Sequence, residues 1–80
     1  MNVYSFWCRP SYSEYGASLT VVASSISEVI NLILNDGNVI TNPDELKGLT
    51  PEYLYGCIEK GSIIKADDSE KPRIAEYFFT

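Results

Sequence analysis

The sequence predicts a small α+β domain with elements in the order ββ–α–(short α)–α–ββ. Three observations carry that reading. Both ends of the chain hold short runs rich in β-branched and aromatic residues. The middle holds a capped segment whose apolar residues recur at helical spacing. Proline and glycine punctuate the joins. Strands at the ends with helices between them give an antiparallel sheet of about four strands, with the main helix packed on one face. Residues 1–80 read as one globular domain, near the lower end of what folds alone, with a stability of roughly 3–5 kcal/mol. An apolar share of 45%, with 12% aromatic, is globular rather than disordered.

The first strand covers Asn2 to Cys8. Arg9 to Gly16 contains Pro10 and polar or small residues, and forms a connection longer than a tight turn. Ala17 to Ala23 alternates, with Leu19, Val21 and Ala23 on one side and Ser18, Thr20 and Val22 on the other, so it makes a second strand hairpinned to the first. Ser25 is placed as a helix N-cap with Glu28 three residues on, a capping box. Ile26, Val29, Ile30, Ile33 and Leu34 share one face, giving a helix over 26–35 that ends before Gly37.

Val39-Ile40 reads as a short extended piece, and Asn42-Pro43-Asp44-Glu45 opens at most one helical turn ending at Gly48. Thr50-Pro51-Glu52 starts a helix to about Lys60, with Gly61 just past its end and Tyr53, Leu54, Cys57 and Ile58 on its buried face. Gly56 inside it costs about 1 kcal/mol relative to Ala, or marks close packing of another element. Ser62 to Ala66 is a short strand and Asp67 to Pro72 a charged turn. Arg73 to Thr80 is the last strand, with Ile74, Glu76 and Phe78 on one side and Ala75, Tyr77 and Phe79 on the other. Two mostly apolar faces suggest a central strand, or one whose far face meets something.

Net charge is −5 with a pI near 4.4. Phosphate binding needs clustered Lys and Arg, and the six basic residues are scattered, so no direct nucleic-acid or anionic-membrane binding is expected. No segment approaches the ~20 apolar residues of a membrane span. The N-terminal residues lack a basic stretch followed by a long apolar run and cleavage site, so a cytoplasmic protein with two free thiols is expected.

Histidine is absent, which removes Ser-His and Cys-His nucleophilic pairs and the commonest zinc ligand. Two cysteines 49 positions apart make no structural zinc site (57 − 8 = 49). The five glycines are isolated, so no phosphate loop exists. Asp67-Asp68 and Asp44-Glu45 read as solvated turn acids. No cofactor, metal or catalytic residue is assigned.

Trp7-Cys8-Arg9-Pro10-Ser11 resembles the Trp-Cys-x-Pro-Cys site of thioredoxin-like redox proteins, with Ser11 in place of the second cysteine. The resemblance spans five residues and implies a reactive thiol at Cys8. The chain departs from the pattern beyond Cys8, where an alternating strand stands in place of a helix, and the competing reading is that Trp7 and Cys8 end a strand with Cys8 packed as a small apolar side chain. Thr50-Pro51 stands about where a glutaredoxin carries Thr-x-Pro, but opens a helix.

Six tyrosines point instead to an interaction surface. Trp7, Tyr12, Glu14 and Tyr15 are the expected partner-binding residues, with Tyr4 nearby in the hairpin and one of Tyr53 and Tyr55 exposed. The leading expectation is a small acidic non-enzymatic protein-binding module of adaptor or inhibitor type, suited to a basic protein partner. A thiol-dependent redox protein using Cys8 is one alternative. A structural subunit that forms a homo-oligomer through its sheet face or edge is another.

Overall fold

Strand β1 (Asn2–Cys8) pairs antiparallel along its whole length with β2 (Ala17–Ala23), from Asn2 opposite Ala23 to Cys8 opposite Ala17. In the computed structural model, which describes residues 1–9, 16–36 and 50–79, β3 (Ser62–Lys65) adds to the free side of β1 and β4 (Arg73–Phe79) to the free side of β2. The sheet is therefore antiparallel in the order β3-β1-β2-β4. Helices α1 (Ile26–Leu34) and α2 (Pro51–Lys60) complete the α+β domain. The expected extended piece at 39–40 and short helix at 43–48 lie outside the described residues, as do Tyr12, Glu14 and Tyr15.

Both helices pack on one face, α2 against β1 and α1 against β2 and β4. The alternation of the hairpin strands decides which residues they cover. Tyr4, Phe6 and Cys8 from β1 and Leu19, Val21 and Ala23 from β2 meet Val29, Ile33, Leu54 and Ile58 in one buried cluster. Tyr53 and Cys57 pack against that cluster while staying partly accessible. At about 25 cal/mol per Å² of buried apolar surface, each of these large side chains contributes on the order of 2 kcal/mol.

The helix ends follow the sequence signals. The Ser25 hydroxyl accepts a bond from the Glu28 N–H at 3.2 Å. The return arm of the capping box reaches one residue further back than the pattern requires. Glu28 Oε1 accepts from the Ser24 N–H at 2.8 Å and from its hydroxyl at 3.1 Å. Thr50 caps α2 by accepting from the Tyr53 N–H at 3.2 Å, with Pro51 in the first turn.

The last strand corrects the sequence expectation. It is an edge strand, not a central one. Val21 faces Ile74 but Thr20 faces Glu76, so Ala75 is an extra residue and the register shifts there. The shift moves Ile74 onto the same side as Tyr77, opposite Val21 and Leu19 on the helix side. Glu76 and Phe78 fall on the other side, opposite Thr20 and Ser18. Strict period-2 counting across Ala75 mixes the two faces.

Gly56 marks no close packing. A Cβ built there meets nothing within 4 Å, and its φ is not positive. Gly56→Ala should therefore stabilise the fold by about 0.5–1 kcal/mol, read as a higher urea midpoint with unchanged slope. A lower midpoint would show that the glycine has a role the helix geometry does not reveal.

Candidate functional site

The face of the sheet away from the helices displays three rows of side chains, set by the cross-strand register. Trp7, Ser18 and Phe78 form one row, with the two aromatics about 10 Å apart across β2. Ser62, Ser5, Thr20 and Glu76 form the next. Ile64, Val3, Val22 and Arg73 form the third. Trp7 is 51% exposed, Phe78 62% and Ile64 63%, which is unusual for large apolar residues sharing one surface.

Trp7 is held in place from below. A Cβ on Gly16 would fall 2.2 Å from Trp7 Cζ2, so the indole lies directly over the glycine backbone. Gly16 is buried beneath it. The ring is thus a supported platform rather than a loose side chain. Tyr4, expected beside it in an aromatic patch, is on the opposite face and 4% exposed, because even-numbered residues of β1 point to the helices. Ile64 was not singled out by sequence reasoning, and Phe78 was expected only to face the opposite side of the last strand from Phe79. Finding them needs the strand order, which puts their strands at opposite edges.

The edges themselves are guarded. β3 is only four residues long and ends in Lys65, and β4 carries Arg73, Glu76 and the irregularity at Ala75. Short strands, charges and bulges all discourage edge-to-edge pairing. Arg73 donates to Glu70 Oε2 at 2.8 Å and to the Lys71 carbonyl at 3.1 Å.

A second cluster lies where α2 crosses the end of β1. The Tyr53 hydroxyl accepts from the Arg9 N–H at 2.6 Å and donates to the Arg9 carbonyl, pinning the backbone next to Cys8. Cys57 stands one helical turn beyond Tyr53 on the same side of the helix. Both cysteines are free thiols. Cys8 is 3% exposed, and its thiol is pushed up to about 12 by burial and then by the nearby Cys57. That is the reverse of the thiolate stabilisation found at a redox active site. Tyr53 is also held above its ordinary value, by burial first. The Arg9 backbone pulls it down, and Cys57 and Cys8 push it further up.

Among the described residues, two of the surface clefts lie on the helix side. One of about 410 Å³ is lined by Glu28, Asn31, Leu32, Asn35, Asp36 and Pro72, the other of about 350 Å³ by Ile30, Pro51, Glu52 and Tyr55. Among the described residues no three His, Cys, Asp or Glu side chains gather as metal ligands, and no helix is long and apolar enough to cross a membrane. No family model, curated protein or solved structure matches the chain.

Proposed function

We propose that this chain is a small acidic, non-enzymatic protein-binding module of adaptor or inhibitor type, which holds its partner on the open face of the sheet. The observation that supports this reading is the pairing of Trp7 and Phe78 as exposed aromatics in one row, with Ile64 exposed two rows away on the same face. Trp7 is the natural anchor, since a rigid aromatic held on a strand loses little freedom on binding. The net charge of −5 favours a basic partner. Two free thiols fit a reducing, cytoplasmic setting.

The face also bears on the oligomeric alternative. Four strands of up to seven residues present about 400 Å² in projection, roughly half of what each partner contributes to a standard stable interface. Self-association through this face alone would therefore be weak, and the guarded edges do not extend it. A molar mass that stays at one chain across a wide concentration range would remove the second reading.

Trp7 is the single tryptophan, so its fluorescence reports directly on the site. The Trp7→Ser, Phe78→Ser double variant should fold within about 1 kcal/mol of the wild type. It should lose about 30-fold in affinity for proteins that the wild type captures from lysate, which are then identified and purified. A helix-side control, Tyr55→Ser, should bind normally. Equal binding by all three proteins would rule out the open face as the site.

A further inference from the structure

We propose that Cys57 is a site of thiol oxidation and that Cys8 resolves it, the two forming a reversible disulfide that ties α2 to the end of β1. The inference is independent of the partner-binding reading. It rests on placement. Tyr53 fixes its turn of α2 to Arg9 through two hydrogen bonds to that residue's backbone. Cys8 is the residue before Arg9, and Cys57 is one helical turn after Tyr53 on the same side of α2. Cys57 packs against the cluster that contains Cys8, so the two thiols belong to one packed group, on α2 and on β1. They also differ in access. Cys57 is partly exposed, whereas Cys8 is sealed in the core.

That difference sets the order of events. A hydroperoxide can reach Cys57 and not Cys8. The Cys57 thiolate attacks one peroxide oxygen, the S–O bond forms and the O–O bond breaks. The other oxygen leaves as an alkoxide or hydroxide and takes a proton from water. Cys57 is then a sulfenic acid. The Cys8 sulfur next attacks the Cys57 sulfur. The S–S bond forms, the S–O bond breaks, and the departing oxygen leaves as water carrying the Cys8 proton. Two thiols lose two electrons and two hydrogens in total, and one hydroperoxide is reduced. The bridge removes a thiol one helical turn from Tyr53 and requires the two Cβ atoms to stand about 3.8 Å apart.

The test uses the wild-type chain. Folded protein is treated with hydrogen peroxide, then unfolded and alkylated. The expected product is a monomer that has lost two hydrogens, takes up no alkylating agent, yields a Cys8–Cys57 cross-linked peptide, and reverts with dithiothreitol. Bridge formation should be about tenfold faster in the folded chain than in urea, because the fold holds the two sulfurs together. In Cys8→Ala, Cys57 should proceed to sulfinic acid or to bridges between chains. The proposal is overturned if the folded wild type gives over-oxidised Cys57 beside a free Cys8, if bridges form only between chains, or if the bridge forms no faster than in urea.

Discussion

Gly61→Ala should remove a large part of the stability of this domain, about 1–3 kcal/mol. The backbone there is extended, at φ −87° and ψ −161°, so glycine is not needed for its dihedral freedom. It is needed for space. A Cβ would stand 2.2 Å from the Ser5 carbonyl oxygen and 2.8 Å from the Phe6 Cβ. Neither neighbour can yield cheaply, because Ser5 is backbone in a central strand and Phe6 is buried in the core. Relief would require pulling the end of α2 away from β1, which would also strain the pairing of Ser62 with Ser5. Overpacking against fixed backbone costs this much in larger proteins, and a domain of 80 residues has little in reserve. Urea denaturation of Gly61→Ala beside Gly56→Ala gives the comparison. The two glycines lie five positions apart, and the expected effects have opposite signs. A Gly61→Ala midpoint within experimental error of the wild type would mean that α2 and β1 separate freely there.

Gly61 also shows what was legible in the sequence. A glycine ending a helix was expected from its position after Lys60, and α2 does end there. The reason differs, since the fold uses its missing side chain and not a left-handed turn. β1, β2 and the start of both helices could be read from alternation and capping, which depend on neighbours in the chain. The side of β4 that faces the helices could not. It depends on one extra residue at Ala75, and nothing in a strand of mixed apolar residues announces a bulge.

The candidate sites divide in the same way. Trp7 was named from the sequence as an expected partner-binding aromatic on the first strand, and it is exposed. Its place in one row with Phe78, and on one face with Ile64, joins residues from three strands and depends on the order β3-β1-β2-β4. Cys8 drew attention through the Trp-Cys-x-Pro pattern, yet alternation on β1 places it on the core side with Phe6. The accessible thiol is Cys57. The i, i+4 spacing of Tyr53 and Cys57 was visible on the helix, but their position beside Cys8 required the packing of α2 on β1.

The burial of Cys8 predicts how the fold responds to alkali. The unfolded chain gives up this thiol proton near 9.0, whereas the folded chain keeps it to about 12. Between those values the folded state binds more protons than the unfolded state, so stability falls as pH rises. Below about pH 9 the stability is fully present. Above it, the loss from this one group approaches about 1.4 kcal/mol per pH unit, on the order of 4 kcal/mol across the whole window. That is comparable to the whole stability of a small domain. Tyr53 adds to the loss in the same direction at higher pH, since its hydroxyl is also held above its ordinary value by burial. Cys8→Ala separates the two contributions. The variant should be less stable than the wild type near neutrality, where it loses a buried side chain. Because it has no thiol to ionise, its stability should fall less steeply above about pH 9, and the two curves should converge and then cross. Urea midpoints measured under reducing conditions from about pH 7 to pH 10.5 would show this. Parallel curves over that range would mean that the Cys8 proton is no harder to remove in the folded chain than in the unfolded one, and that the end of β1 is open to water.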